Sequence, residues 1–223
     1  MSKGKLIVIE GLDGSGKNTQ SGILTQTLKN MGYQTKELSF PCYGEPSCAL
    51  VEMYLNGEFG DKPDSVGPYA ASTFYAVDRY ASYKKDWGSF YEKGGIVIAN
   101  RYVTSNLVHQ MTKLPKEEWE PFAAWLSDLE YDKFGIPKPD LVVFLDMPVE
   151  VSQKLMLCRY HGDEKKKDIH EKDVAYLLKC HEAAAYATRQ QGWHGIACSN
   201  NGEPLSIEEI SEDVLALVKE ELL

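Results

Sequence analysis

A glycine-rich segment near the start of the chain has the residue types and spacing that bind phosphate groups. It reads Gly11-Leu12-Asp13-Gly14-Ser15-Gly16-Lys17-Asn18 and directly follows the apolar run Leu6–Ile9. Glycines allow backbone amides to curl around phosphate oxygens, and a helix that begins here adds its partial positive charge. The Lys17 ammonium can reach the β- and γ-phosphates of a nucleotide. The sequence therefore predicts a P-loop that binds ATP, with Thr19 as the last residue of the binding segment.

The position after Lys17 departs from the usual P-loop pattern. A serine or threonine hydroxyl normally ligates Mg²⁺ there, whereas this chain has Asn18. An amide oxygen is also a ligand for this hard cation, so Asn18 can hold Mg²⁺ directly or through a water molecule. Alternatively, the nucleotide itself supplies most of the ligands. The sequence leaves both arrangements open, and Mg²⁺ with ATP is the expected cofactor.

Short apolar runs that alternate with helix-like stretches must position this loop. Nearly continuous apolar runs favour strands buried on both faces of a parallel sheet. The predicted strands are Leu6–Ile9, Thr35–Phe40, Ile96–Ala99, Leu141–Leu145 and Gly195–Cys198. Leu24, Leu28 and Met31 recur at helical spacing, and a second helical pattern runs from about residue 169 to 191. The alternation predicts a three-layer α/β/α fold with right-handed crossovers, formed by residues 1–223 as one domain.

Composition excludes several classes of protein. The net charge of −9 argues against a protein that coats nucleic acid, because phosphate backbones need a basic face. No apolar run approaches the roughly 20 residues of a membrane span, and no signal pattern is present at the start. The five cysteines include no CxxC pair, which suits a reducing compartment and favours neither a disulfide framework nor a zinc site. We expect a cytoplasmic protein with no nucleic-acid or membrane partner.

Further motifs follow the P-loop in a fixed order along the chain. They are Thr19-Gln20, Phe40-Pro41, Asp78-Arg79, Arg101-Tyr102 with Ser105-Asn106, and Pro137–Leu141. Together with Ile9–Lys17 they resemble the thymidylate kinase family of P-loop nucleoside monophosphate kinases. The resemblance implies a P-loop NTPase fold with a five-stranded parallel sheet of order 2-3-1-4-5. It also implies a homodimer that transfers a phosphoryl group from ATP to a deoxynucleoside monophosphate, above all dTMP.

The resemblance assigns an acceptor site to the matched residues. It implies that Asp13 accepts a hydrogen bond from the deoxyribose 3′-hydroxyl and that Arg79 contacts thymine. Arg101 ends a central strand, where ligands bind in open sheets, and its fork can grip the acceptor phosphate. Phe74 or Tyr75 would place a ring against the base, although core packing explains an isolated aromatic equally well. Phe40 is a further matched position, Ser105 and Asn106 match positions near the pyrimidine edge, and His109 and Gln110 fall close to the ribose. His109 is equally compatible with a helix surface.

A charged run at 163–168 follows Arg159. It is as compatible with a solvated loop as with a lid at about 160–170 that closes over phosphates and excludes water. The P-loop has no arginine at Gly14 or Ser15, so transition-state charge must be met elsewhere. We predict that Arg159 meets it as an ATP-binding residue, and that Lys17, Arg101 and Arg159 are catalytic.

Two further positions depart from the family pattern. Asn100 stands where the family usually has an aspartate that orders Mg²⁺, and Tyr43 stands where many members have an arginine that touches the acceptor phosphate. Asp146 ends the fourth predicted strand and could replace, through water, part of the metal-ordering role. The alternative, which the sequence slightly favours, is that Asp146 caps the helix that begins near Pro148.

These departures leave two alternatives open. The protein could be a kinase for another nucleotide or nucleoside acceptor, because Tyr43 alters the acceptor side. It could also be a catalytically weak regulator that binds nucleotides, because Asn18 and Asn100 both lie on the metal side. The presence of Asp13 and all the predicted phosphate-binding cations favours an active enzyme.

Overall fold

The computed structural model describes residues 3–159 and 173–223 of the protein. A five-stranded parallel sheet lies at its centre. The strands are β1 (Lys5–Gly11), β2 (Thr35–Ser39), β3 (Ile96–Asn100), β4 (Leu141–Asp146) and β5 (His194–Ala197). They hydrogen-bond in the order β2-β3-β1-β4-β5, and every neighbouring pair is parallel. The predicted fold class and strand order are therefore confirmed.

Helices connect the strands and cover the sheet. In the described part of the chain they are α1 (Lys17–Asn30), α2 (Ala49–Leu55), α3 (Pro68–Ser82), α4 (Gly88–Glu92), α5 (Thr104–His109), α6 (Trp119–Ser127), α7 (Val149–Arg159), α8 (Val174–Gln191) and α9 (Ile207–Leu222). A π-helical segment, Tyr83–Trp87, continues α3, and another, Asp128–Lys133, continues α6. None of the described helices is long and apolar enough to cross a membrane.

The sheet is buried on both faces, as continuous apolar strands require. Successive side chains of a strand point to opposite faces. Leu6 and Val8 of β1 belong to one hydrophobic cluster, and Ile7 and Ile9 belong to another on the other side. All four of these side chains are at most 1% exposed. Helices must cover both clusters, and the result is the predicted three-layer arrangement.

One helix boundary and one strand pair differ from the sequence predictions. The helical pattern predicted from about 169 begins only at Val174, because the Asp173 side chain accepts the Tyr176 amide hydrogen bond and caps the helix there. The short antiparallel pair β6 (Ser199–Asn200) and β7 (Glu203–Pro204) was not predicted, since two-residue strands carry no periodic signal. The predicted lid at about 160–170 lies outside the described residues.

The topology sets where a ligand can bind. β1 lies between β3 and β4, so the loop after β1 is flanked by the carboxyl ends of both neighbours. Strand order changes direction at this point, and such positions leave a crevice above the sheet.

Candidate active site

A cavity of about 690 Å³ opens above the carboxyl ends of β1 and β3. The P-loop and the start of α1 form one end, and α3 and α5 contribute to the other. Its lining includes most of the predicted site residues: Asp13, Gly14, Gly16, Lys17, Asn18, Thr19, Phe40, Tyr75, Arg79, Arg101, Ser105, Asn106 and His109. Residues far apart in the chain therefore converge on one space.

The P-loop adopts the conformation that its glycines permit. Gly14 and Gly16 have φ of 83° and 91°, in the left-handed region that other residues rarely occupy. A Cβ atom on Gly14 would also lie 2.6 Å from the carbonyl oxygen of Ser152 in α7. Lys17 begins α1, and its Nζ donates a 2.8 Å hydrogen bond to the Leu12 carbonyl oxygen inside the loop. The ammonium thus lies within the phosphate-binding loop, as predicted.

Arg101 is held at the middle of the cavity by several partners. It follows β3 with a φ of 67°, an unfavourable conformation for a residue with a side chain, and such strain is common at functional sites. Its guanidinium forms a close ion pair with Asp13 and donates to Ser105 Oγ at 3.4 Å and to His109 Nε2 at 2.9 Å. Burial alone would raise the pKa of Asp13, but the nearby Arg101 and Lys17 charges outweigh it and hold that pKa well below its usual range. Asp13 is therefore a carboxylate at neutral pH.

Glu10 supports this arrangement and was missed by the sequence analysis. Its fully buried carboxylate accepts hydrogen bonds from the hydroxyls of Thr104 (2.8 Å) and Ser105 (2.7 Å) and from the Gly11 amide (3.0 Å). Arg101 Nη1 lies 3.7 Å from it. The carboxylate thus ties the P-loop to α5. The available signal was a charged residue at the end of an otherwise apolar strand.

Arg79 lines the end of the cavity that α3 and α5 form, here called the deep end, and is almost completely buried. Its Nε and Nη2 donate to the two carboxylate oxygens of Glu130 at 2.7 and 2.6 Å, and Nη1 donates to the Tyr102 carbonyl oxygen at 3.3 Å. Burial alone would lower the pKa of Arg79, and the Glu130 charge raises it above its ordinary value. Glu130 lies in the π-helical segment after α6, 51 residues away, and no sequence signal paired it with Arg79.

Polar side chains at the deep end have unused hydrogen-bonding groups. Gln110 follows α5 and lines the cavity, and both polar atoms of its buried amide have no hydrogen-bond partner among the described residues. Asn106 is also buried, and its Nδ2 makes only a long 3.4 Å contact with the Ser72 carbonyl oxygen. Buried polar groups normally have partners, so an unpaired amide in a cavity points to a ligand. The family resemblance placed Gln110 close to the ribose, next to His109, and did not assign its amide to the base.

The two candidate rings differ in their position relative to the cavity. Both rings are partly buried against the same hydrophobic cluster, which includes Tyr54 and Val66. Tyr75 also lines the cavity, whereas Phe74 packs beside Phe59 with ring centroids 5.9 Å apart. Phe40 is buried under the cavity wall and packs against Tyr102 at 6.0 Å. The structure therefore brings Tyr75 and Phe40 to the site and leaves Phe74 outside the described cavity lining. His109 is 6% exposed, which excludes the helix-surface alternative.

The oxygen atoms on the metal side fit a hard cation. Asn18 and Asn100 both line the cavity. Asn100 Nδ2 donates to Ser39 Oγ at 3.3 Å, while its buried Oδ1 has no partner among the described residues. That oxygen can coordinate a cation or accept a hydrogen bond from a water molecule bound to the cation. Asp146 is half exposed, and its Oδ1 lies 2.8 Å from His181 Nε2. It is not part of the described cavity lining, so its assignment to the metal stays a prediction.

Arg159 is the last residue of α7. The start of this helix lies beside the P-loop, since Ser152 contacts Gly14. The Arg159 side chain and the predicted lid lie outside the part of the structure that is described. The proposed transition-state role of Arg159 therefore stays a prediction.

Several known proteins are similar to this chain in sequence or in fold. Residues 9–210 match the family described as thymidylate kinase. The thymidylate kinase of Mycobacterium tuberculosis is 34% identical over 193 residues, which cover 85% of this chain and 88% of that protein. The thymidylate kinase of Plasmodium falciparum is 27% identical over 96% of this chain and 89% of its own length. A solved thymidylate kinase structure from Candida albicans superposes with a TM-score of 0.73 over 99% of this chain and 93% of its own. At 21% identity it shows a shared fold alone.

Proposed function

The chain belongs to the thymidylate kinase family, and from that premise we propose that it transfers the γ-phosphoryl group of ATP to dTMP, giving dTDP and ADP. One observation carries the proposal. A single cavity holds Lys17 in a phosphate-binding loop at one end and the unpaired amide of Gln110 beside Asn106 at the other. Arg101 lies between the two ends, where a monophosphate bound at the deep end would meet the triphosphate.

The base would bind at the deep end of this cavity. Thymine presents adjacent carbonyl and N–H groups, and an amide side chain can donate to the first and accept from the second. Gln110 and Asn106 supply such amides, and the Arg79 guanidinium is held beside them by Glu130. Tyr75 offers a ring face against which a base can stack.

The chain's own residues would then position the transfer. An oxygen of the acceptor phosphate attacks the γ-phosphorus, and the bond from that phosphorus to the β,γ-bridging oxygen breaks. Lys17 and the loop amides neutralise charge on the β- and γ-phosphates, while Arg101 holds the acceptor phosphate in line. Asp13 aims the Arg101 guanidinium and accepts from the 3′-hydroxyl of the acceptor. Arg159, from the end of α7, would add charge to the transition state as ATP is enclosed.

Mg²⁺ is the proposed cofactor. Asn18 and Asn100 would hold it directly or through water, because both offer amide oxygens to the phosphate end of the cavity. When bound, the cation would polarise the β- and γ-phosphate oxygens. Asp146 would contribute only through water from outside the cavity lining.

The decisive experiment is an assay that couples ADP formation to NADH oxidation with ATP, Mg²⁺ and a panel of monophosphates. We expect turnover with dTMP to exceed turnover with dGMP and dAMP. A different preferred acceptor would replace the substrate assignment, and binding of dTMP and ATP without turnover would indicate a nucleotide-binding regulator.

We also propose that the protein acts in the cytoplasm as a homodimer of single-domain subunits. The outer face of α3 exposes Tyr69, Val77 and Tyr80, an unusual concentration of large apolar side chains on one helix. Val77→Glu should convert the dimer to a monomer in size-exclusion chromatography with light scattering. An unchanged mass of the variant would exclude this face.

A further inference from the structure

Behind Arg101 lies a chain of side chains that the proposed reaction has not used. Arg101 Nη1 lies 2.9 Å from His109 Nε2, and on the other side of the ring His109 Nδ1 lies 3.6 Å from the sulfur of Cys180. His109 ends α5, and Cys180 lies in the middle of α8, 71 residues further along the chain. Cys180 is 0% exposed and Arg101 faces the cavity, so this series of side-chain contacts runs from the protein interior to the proposed position of the acceptor phosphate.

The Arg101 guanidinium determines which nitrogen of His109 donates a hydrogen bond and which accepts one. A guanidinium has only N–H donors, so the contact with Arg101 requires Nε2 of His109 to be the acceptor. A neutral imidazole carries one proton, which must then be on Nδ1. That N–H faces the Cys180 sulfur, a weak acceptor within reach. Burial raises the pKa of Cys180 to about 12, so the group stays a thiol.

The histidine is fixed in place by the same helix. The Tyr176 hydroxyl, one turn before Cys180, donates to the His109 carbonyl oxygen at 2.5 Å, and the two rings stack with centroids 6.4 Å apart. α8 therefore holds both the backbone and the ring of His109. With the ring fixed, the identity of the protonated nitrogen decides whether His109 supports Arg101 or repels its N–H.

We propose that Cys180 is a positioning residue for the acceptor phosphate: its sulfur accepts from Nδ1–H of His109 and so strengthens the tautomer that the Arg101 contact requires, in which Nε2 is left to hold Arg101. The proposal rests on the assignment of Arg101 to the acceptor phosphate in the proposed function. The role of the buried Cys180 thiol follows from two contacts of His109, in which Nε2 accepts from Arg101 and Nδ1–H donates to the sulfur. His109 thereby acts through Arg101 in addition to lining the cavity.

The first test is the tautomer of His109 in the free protein. In ¹⁵N-labelled protein, protonated and unprotonated imidazole nitrogens resonate far apart, and His109→Gln assigns the signals by their loss. We expect the proton on Nδ1 in the native protein and a shift towards Nε2 in Cys180→Ala. A native proton on Nε2, or an unchanged tautomer in Cys180→Ala, would overturn the proposal.

The second test is kinetic and has a matched control. Cys180→Ala should raise the KM for dTMP about threefold to tenfold, the effect of one hydrogen bond, while the KM for ATP and kcat change much less. Cys198→Ala removes another fully buried thiol, beyond β5, and should lower stability without this change in KM. Equal effects on both substrates, or the same rise in Cys198→Ala, would reduce the role of Cys180 to packing and reject the proposal.

A double variant isolates the histidine as the link. The amide oxygen of His109→Gln can accept from Arg101 without help from Cys180, so adding Cys180→Ala to it should have no further effect on the KM for dTMP. A full additional rise in that background would show that Cys180 acts by another route. The NMR result does not depend on catalysis: inactivity towards dTMP with the proton on Nδ1 would reject the proposed function and still support the hydrogen-bond chain.

Discussion

The two ends of the cavity are built in different ways. The phosphate end comes from eight consecutive residues, 11–18, whose glycines and helix start make the binding conformation locally. The acceptor end draws on α3, β3, α5 and the π-helical segment after α6, and two of its key contacts join residues that are 51 and 88 positions apart. Phosphate binding by backbone amides needs only one loop. Recognition of a particular acceptor needs a pocket whose side chains come from several elements of the fold.

The two arginines of the cavity show the same difference. Arg79 donates two N–H groups to the buried Glu130 carboxylate and another to the Tyr102 carbonyl oxygen, and it is 2% exposed, so it acts as a fixed part of the cavity wall. Arg101 divides its N–H groups among Asp13, Ser105 and His109 and keeps its side chain 15% exposed. An arginine whose N–H groups go to several separate partners can exchange one of those hydrogen bonds for a bond to a phosphate. An arginine paired in bidentate fashion with a buried carboxylate loses that buried ion pair if it does so.

The largest expected effect is at the phosphate end. Lys17→Met should lower kcat for dTMP phosphorylation by at least about 10³-fold, because a preorganised charge on the transferred phosphate is lost. The Lys17 ammonium donates to the Leu12 carbonyl oxygen of its own loop and points at the ligand site, so we expect the circular dichroism melting curve to change little. A Lys17→Met enzyme with near-native turnover would show that the loop is not the phosphate site.

The wall arginine is tested through its partner. Glu130→Gln leaves the Arg79 charge buried without a counter-charge and should lower the free energy of unfolding by about 3–5 kcal/mol. Asp128→Asn is the matched control, since Asp128 pairs with Lys133 at 3.1 Å in the same π-helical segment but both side chains are more than half exposed. It should cost at most about 1 kcal/mol in urea denaturation. An equal loss of unfolding free energy in the two variants would show that the Arg79–Glu130 pair is no more important for stability than an exposed ion pair, and that Arg79 is not a fixed part of the cavity wall.

Base recognition is tested at the deep end. Asn106→Ala should reduce discrimination between dTMP and dGMP, measured as the ratio of kcat/KM, by about 1–3 kcal/mol if it leaves a polar group of the base unpaired. Gln110→Ala should have a comparable effect, because its amide is unpaired without a ligand. If both variants keep the native selectivity, the base binds elsewhere in the cavity.

The smallest expected effect concerns the metal. Asn100→Asp adds a negative charge where Asn100 Oδ1 has no described partner and should lower the Mg²⁺ concentration needed for half-maximal activity. Asp146→Asn separates the two roles predicted for Asp146. A strongly raised Mg²⁺ requirement would support the water-mediated metal role, whereas an unchanged one would leave ATP and ordered water as the main ligands. No response in either variant would exclude charge compensation between these positions.

The sequence by itself determined the fold and the phosphate end of the site. The runs Leu6–Ile9 and Leu141–Leu145 predict buried parallel strands, and Gly11–Asn18 predicts a phosphate loop, because periodicity and glycine spacing act over a few residues. Family resemblance brought Arg79, Arg101, Ser105, Asn106 and His109 to the acceptor side, and the structure places them along the cavity.

Only the tertiary structure decided how these side chains are partnered. It paired Arg79 with Glu130, made Glu10 the link between the P-loop and α5, and placed Tyr75 but not Phe74 in the described cavity lining. It also placed Cys180 behind His109. No local pattern encodes such pairs, because each depends on which helix faces meet after the two faces of the sheet are covered, and that packing is a property of the whole chain.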